Sequence, residues 1–359
     1  MLPETTTDPA TDTTKRDPAS KSAHIAHCLT PAVEYAKRAG FERYDFVHQA
    51  LPELDLDKVD LGTRFLGKAM RAPLMVASMT GGTERARILN QRLGAAVEKH
   101  GLAMGVGSQR VGLEDPERAH TFQVRDRMPT ALLFANIGAV QLAKGWTHKE
   151  ARAAVKMIGA DALFLHLNPI QEAAQGGDVA WAGLRDRIRA VVQELAADGI
   201  PVVAREVGFG MATETARQLV ELGVAGIDCS GAGGTSWAKV EQLCAKTPRR
   251  AKMGAAFGEW GIPTVDSILN VRAASATIPL IATGGLRSGQ HVAMALALGA
   301  DLGAMARPFL VAADKGETAL DEFIQDTLLE LRIAMFGSGC ADVAALKTRP
   351  VLRPGTAAR

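Results

Sequence analysis

Eight short, nearly continuous apolar runs punctuate this chain: Pro73–Met79, Leu102–Ser108, Ala131–Ile137, Ala162–Asn168, Pro201–Glu206, Ala225–Ser230, Pro279–Thr283 and Leu302–Ala306. Runs of this length and character suit parallel strands that are buried on both faces. Amphipathic helical segments lie between them. Leu89–His100 stops at Gly101, Trp181–Asp198 at Gly199, Thr213–Leu222 at Gly223 and His291–Leu298 at Gly299. Glycine just past a periodic segment is a helix stop signal, because it accepts the left-handed backbone that ends a helix. Repeated strand and helix pairs predict an α/β fold, and eight of them predict a (β/α)8 TIM barrel with an N-terminal extension. An open, doubly wound sheet is the alternative. The count of eight and the lack of a dinucleotide fingerprint weigh against it.

The flanks read differently. Residues 1–20 are Thr, Asp, Pro and Lys with almost nothing apolar, and predict a disordered arm. A preamble follows, with a helical stretch over Ser22–Gly40. Residues 21–349 form a single barrel domain with this preamble, and 350–359 a frayed tail. Leu320–Phe336 predicts a closing helix. The segment Gly231–Ile262 is too long for an ordinary strand-to-helix loop, which suggests a functional lid or disorder.

Composition narrows the class. The chain has 359 residues, 47% of them hydrophobic and 22% charged, as in a globular enzyme and unlike a disordered chain. With 41 basic against 39 acidic residues, the net charge of +2 argues against a dedicated nucleic-acid or membrane-surface binder. The cysteines, Cys28, Cys229, Cys244 and Cys340, make no C-x-x-C pair, so neither a structural zinc site nor a disulfide framework is expected. No apolar run reaches the roughly 18 residues needed to span a bilayer. The first residues have neither a basic nor an apolar signal region, so a cytoplasmic location is expected.

In such a barrel the chemistry sits at the C-terminal ends of the strands. The seventh and eighth strands end in Thr283-Gly284-Gly285 and Ala306-Arg307. Paired loops of this kind cradle a phosphate on backbone N–H groups, and flavin mononucleotide is a leading candidate ligand. The other reading is that the glycines only make tight turns. After the fourth strand come His166, Asn168, Gln171 and Glu172, the densest polar cluster. Alternation puts His166 and Asn168 on one face, where they meet a ligand or form a satisfied hydrogen-bond network. Glu172 is a hard oxygen donor suited to Mg2+ that also touches a diphosphate. Arg205 ends the fifth strand in apolar company and wants an anion, or else an ion pair with Glu206 or another carboxylate. His24 and His27 read as a solvated helix face. Cys229 reads as small apolar packing, and Trp237 and Trp260 either shield a site or pack.

Several strings are together distinctive: A-S-M-T-G-G-T from Ala77, L-A-M-G-V-G-S-Q-R from Leu102, H-L-N-P-I-Q-E-A from His166, G-A-G-G-T-S-W from Gly231 and A-T-G-G-L-R-S-G from Ala282. They resemble the type 2 isopentenyl diphosphate isomerases, FMN-dependent (β/α)8-barrel enzymes, in order from about Lys21 to Arg349. The resemblance implies FMN contacts at Ala77, Ser78, Met79, Ser108, Asn136 and Thr235. It implies an FMN phosphate at Gly284, Gly285, Ala306 and Arg307, with the charge of Arg205 stabilising an anionic reduced flavin. Gln171 would lie nearest the reacting alkene and Glu172 would hold Mg2+. Lys21, His24, Arg110, His166 and Asn168 would hold or orient a prenyl diphosphate.

The implied reaction interconverts isopentenyl and dimethylallyl diphosphate without net redox change, on reduced flavin that itself moves the proton, with NAD(P)H supplying electrons. A homotetramer or homo-octamer is implied too. Where that family usually has Arg-Lys and Lys-Glu, this chain has Ser20-Lys21 and Arg205-Glu206. A divergent FMN-dependent barrel enzyme acting on another prenyl or oxidisable substrate is the second reading, and a non-catalytic phosphate-binding barrel the third.

Overall fold

The computed structural model describes residues 18–355. The expected arm lies mostly outside the described residues; Pro18–Ser20, at its end, are helical. Helix α1, Pro18–Cys28, is the first element. The helix expected up to Gly40 stops here because Pro31 follows. A proline excludes helical backbone at the residue before it, and the chain continues as a single 3-10 turn over Pro31–Val33.

Eight parallel strands close into a barrel: β1 Leu74–Val76, β2 Ala103–Gly105, β3 Leu132–Gly138, β4 Ala162–Leu167, β5 Val202–Glu206, β6 Gly226–Asp228, β7 Leu280–Thr283 and β8 Leu302–Met305. All eight lie inside or against the predicted runs. Their alternation sorts side chains into two cores. Met75, Ala77, Leu132, Phe134, Phe164, Val203, Ile281, Leu302 and Ala304 fill the barrel interior. Leu74, Val76, Leu133, Leu163, Val202 and Ile227 face the surrounding helices. A hairpin of Thr63–Phe65 with Lys68–Met70 adds Phe65 and Met70 to the inner core, so the preamble plugs the barrel.

Helix stops follow the glycine signals. Gly101 at the end of Glu84–His100 has φ 65. The helix expected from Trp181 begins at Leu184, because Gly183 takes φ 74 and forms its N-cap. The Gly231–Ile262 segment is neither disordered nor a free lid. It carries α2, Trp237–Leu243, and α3, Pro248–Ala256, each N-capped by a side chain, Ser236 and Thr247. Its two ends are joined where Ala232 N donates to Ile262 O at 2.8 Å. The preamble holds it: Tyr35 Oη donates to Trp260 O at 2.9 Å, and Glu259 accepts from the backbone of Ala36 and Lys37. The described part of the expected frayed tail contains a strand. Leu352–Pro354 pairs antiparallel with Tyr44–Phe46, which joins the two ends of the described chain.

Candidate active site

The cavity opens at the C-terminal ends of the strands, where the barrel fold places chemistry. Strand register builds its floor. His166 on β4, Arg205 on β5 and Asp228 on β6 are in-register neighbours. Alternation puts Arg205 on the same inward face as Val203. The Arg205 guanidinium lies 5.2 Å above the Phe164 ring, which stacks on Phe134 at 4.3 Å. Its Nη2 reaches Ser78 O at 3.4 Å, on the loop after β1, the strand opposite β5 in the barrel. Its Nη1 pairs with Asp228 Oδ2 at 2.5 Å. Arg205 therefore lines the cavity and pairs with a carboxylate, Asp228 and not its neighbour Glu206.

Burial raises the Asp228 pKa, and the Arg205 guanidinium opposes that. Arg205 donates to Oδ2 and Ser230 N to Oδ1, so the geometry holds the ionised form.

Glu206, the next residue, points the other way. Its Oε2 accepts from the backbone N–H groups of Val207, Gly208, Phe209 and Gly210, at 2.6, 2.7, 2.5 and 3.2 Å. Burial pushes this carboxyl up to about 8 against the pull of those donors. Glu206 thus shapes the loop after β5 and has no place among the cavity-lining residues.

On the β3–β4 side, Asn136 Nδ2 donates to Val106 O at 3.1 Å, which turns its Oδ1 toward His166 Nδ1 at 2.9 Å. An amide oxygen can only accept, so Nδ1 of His166 carries a proton. At the helix that follows β4, Pro169–Gln175, Asn168 Nδ2 donates to Gln171 Oε1 at 3.2 Å and to Glu172 Oε1 at 3.0 Å. Gln171 Nε2 donates to Glu241 Oε1 at 2.8 Å. Glu172 Oε2 accepts from Gln175 Nε2 at 2.6 Å and Asp178 N at 2.9 Å. Gly177 permits this approach, since a Cβ there would lie 2.0 Å from that oxygen. Arg110 Nη1 lies 3.5 Å from Asp178, which Lys144 also holds.

The phosphate end is built from glycines and a helix start. Gly284 and Gly285 have φ 104 and 73. A Cβ on Gly284 would lie 2.0 Å from Gly231 O, and one on Gly285 2.6 Å from Gly233 O, so close packing demands glycine as well. Helix α4, Arg307–Lys315, begins beside them without a side-chain cap, leaving its first backbone donors for a ligand. The Arg307 side chain, however, is committed to the preamble: it pairs with Glu34 at 2.5 Å and donates to Cys28 O at 3.0 Å. Arg287 takes the other Glu34 oxygen at 2.7 Å. Arg307 therefore offers an anion its position at the helix start more than a free guanidinium.

The cavity collects nearly all the predicted site residues: His24, Ser78, Met79, Ser108, Arg110, Asn136, His166, Asn168, Gln171, Glu172, Arg205, Thr235, Gly284, Gly285, Ala306 and Arg307. Ala77 is the exception. It packs inside the barrel and its N–H bonds Met305 O, one layer below the cavity wall. Lys21 lies on α1, its side chain outside the described residues. His24 is not on a solvated face: it lines the cavity beside Trp237, with ring centroids 5.6 Å apart, and its Nε2 lies 3.7 Å from Glu241.

Sequence reading missed Glu241 and Asp228. Glu241 follows Trp237 by one helical turn, and nothing local marks it as buried. Asp228 sits two residues before the glycine loop, and its alternation with Ser230 was the available signal.

The residues fit a flavin nucleotide. His24 Nε2, Ser78 Oγ and Asn168 Oδ1 are buried around this cavity without hydrogen-bond partners from the protein. The glycine cradle and helix start suit its phosphate. For Mg2+ the fit is narrower. No cluster of three or more His, Cys, Asp or Glu that could hold a metal exists among the described residues. Glu172 supplies one hard carboxylate, which is enough only for an ion that arrives with substrate phosphates.

Fold and site together define a (β/α)8 barrel with a cavity at the C-terminal ends of its strands that fits a flavin nucleotide. A family model described as FMN-dependent dehydrogenase matches residues 186–353. A mandelate oxidase with (S)-mandelic acid shares the fold, with a TM-score of 0.63 at 19% identity over 94% of this chain and 97% of that one. Much nearer in sequence is an isopentenyl-diphosphate delta-isomerase of Synechococcus sp., 52% identical over 94% of this chain and 97% of its own. Those of Nostoc sp. and Rickettsia bellii are 46% and 45% identical, over 97% and 91% of this chain and 97% and 95% of their own. The chain belongs to the isopentenyl-diphosphate delta-isomerase family.

Proposed function

We propose that this chain interconverts isopentenyl and dimethylallyl diphosphate with reduced FMN as its resident cofactor and Mg2+ brought in with the diphosphate. The observation that carries the reading is the set of buried atoms without hydrogen-bond partners, Ser78 Oγ, Asn168 Oδ1 and His24 Nε2, around a cavity whose far end is a glycine cradle suited to a phosphate. Ser78, Met79, Ser108, Asn136, Arg205 and Thr235 would hold the flavin ring, and Gly284, Gly285, Ala306 and the backbone of Arg307 its phosphate. Reduced FMN, when bound, supplies a group that gives and takes a proton at an alkene carbon.

The chain's own residues prepare that chemistry. Moving a double bond requires a proton added at one carbon and one removed at another. Gln171 is neutral and cannot supply or accept a proton strongly. Its amide is fixed instead by Asn168 and Glu241, so it positions the alkene end of the substrate. His166, with Nδ1–H given to Asn136, and Arg110 and His24 surround the place a diphosphate would take. Lys21 would join them from α1. Glu172 would share Mg2+ with the phosphates.

The resemblance extends the proposal to NAD(P)H as reductant, a homotetramer or homo-octamer, and a cytoplasmic location. No helix among the described residues is long and apolar enough to cross a membrane. Anaerobic assay of purified protein with FMN, dithionite, Mg2+ and isopentenyl diphosphate tests the reading. Product formation that requires the reduced state supports it. Full activity with oxidised FMN, or no FMN binding at micromolar concentration, refutes it.

A further inference from the structure

We propose that Asp228 is a positioning residue that acts through Arg205: it fixes the guanidinium at the cavity floor and attenuates its charge, and so sets the reduction potential of the bound flavin. The inference rests on the FMN reading above. Arg205 and Asp228 are in-register neighbours on β5 and β6 and form a buried ion pair beneath the cavity. Arg205 spans the barrel from β5 toward Ser78 after β1, over the Phe164 ring. A planar cofactor seated on this floor therefore meets an ion pair and not an isolated cation.

Asp228 is fully buried, and its second oxygen accepts from Ser230 N at 3.2 Å. Ser230 has φ 28, in the region that favours glycine, at the start of the Gly231–Thr235 loop on the cavity wall. One carboxylate thus sets both the direction of Arg205 and the turn into the loop that carries Thr235. In a water-poor site a charge this close acts strongly on a cofactor that gains negative charge on reduction. Without Asp228, Arg205 would present a full positive charge and favour the reduced flavin.

The test is the midpoint potential of FMN bound to the whole protein, measured by dye equilibration in wild type, Asp228→Asn and the double variant Arg205→Gln/Asp228→Asn. In Asp228→Asn the reduced-to-oxidised ratio at a fixed poise should rise at least about tenfold. The double variant, which removes both charges and leaves no unpaired ion, should stay within a few-fold of wild type. If Asp228→Asn does not fold, the double variant still decides: a ratio more than about tenfold below wild type means Arg205 acts as a full charge and overturns the proposal. An unchanged ratio in folded, FMN-loaded Asp228→Asn overturns it too, while leaving the FMN reading intact. Wild-type protein that binds no FMN overturns both.

Discussion

Gln171 is held at both ends of its amide, by Asn168 on the oxygen and Glu241 on the nitrogen. Truncation to Gln171→Ala removes the positioning group without opening the glycine cradle. FMN and substrate should still bind, while turnover falls about 100-fold or more, the scale of a misplaced reacting group. Equal losses in FMN affinity and in kcat would mean that the residue supports the pocket instead. Glu172→Gln keeps the acceptor for Asn168 but loses the charge. The Mg2+ concentration for half-maximal activity should rise by at least about tenfold, read from a metal titration. A wild-type metal response in that variant removes Glu172 from the ion. Arg205→Ala would leave Asp228 buried and unpaired, a cost of about 3–5 kcal/mol that urea denaturation would report; Arg205→Lys should recover much of it.

At the scale of elements, the loop after β5 is organised by one oxygen of Glu206, which collects four consecutive backbone N–H groups. Glu206→Ala strands these donors and should cost about 3 kcal/mol or more, whereas Glu206→Gln keeps an acceptor and should cost less. A pH signature accompanies this. Folded Glu206 titrates near 8 against an ordinary 4.5, so between those values the folded chain holds a proton that the unfolded chain has lost. That contribution is complete below about pH 4.5 and is lost as pH rises through about 8. Stability measured against pH should lose this downward slope in Glu206→Gln.

The strands themselves were legible in sequence, since an inner and an outer core ask for continuous apolar runs of the right length. The polar strand ends were legible too, because polar residues inside such runs need a ligand or a partner. The partners were not. Arg205 and Asp228 are 23 residues apart and meet only through strand register. Glu241 belongs to a segment whose helices, at seven and nine residues, are too short for a clear periodic signal. That same shortness made Gly231–Ile262 look like a loop. The apolar spacing of α1 continues past Pro31, which its helical backbone cannot pass, so the sequence pattern alone overstates its length.

Across the whole molecule, the ends of the chain close over the barrel that the middle builds. Glu34 ties Arg287 and Arg307 to the preamble, and Leu352–Pro354 pairs with Tyr44–Phe46. Glu34→Ala should free Arg287 and leave Arg307 tied to the preamble only through Cys28 O and Leu29 O, which should loosen α1 over the cavity and speed FMN loss several-fold, followed by flavin fluorescence on dilution. Unchanged FMN release would confine Glu34 to a local role. These ties also impose an order on biosynthesis. The preamble leaves the ribosome well before its partners at 234–236, 287 and 307, which follow some 200 residues or more behind it, and the strand that fastens Tyr44–Phe46 emerges later still. The preamble must therefore wait beside the growing chain, and the cavity gains its wall of α1 only after residue 307 has emerged. A nascent chain stalled before residue 287 should leave residues 22–40 open to protease, and one released in full should protect them.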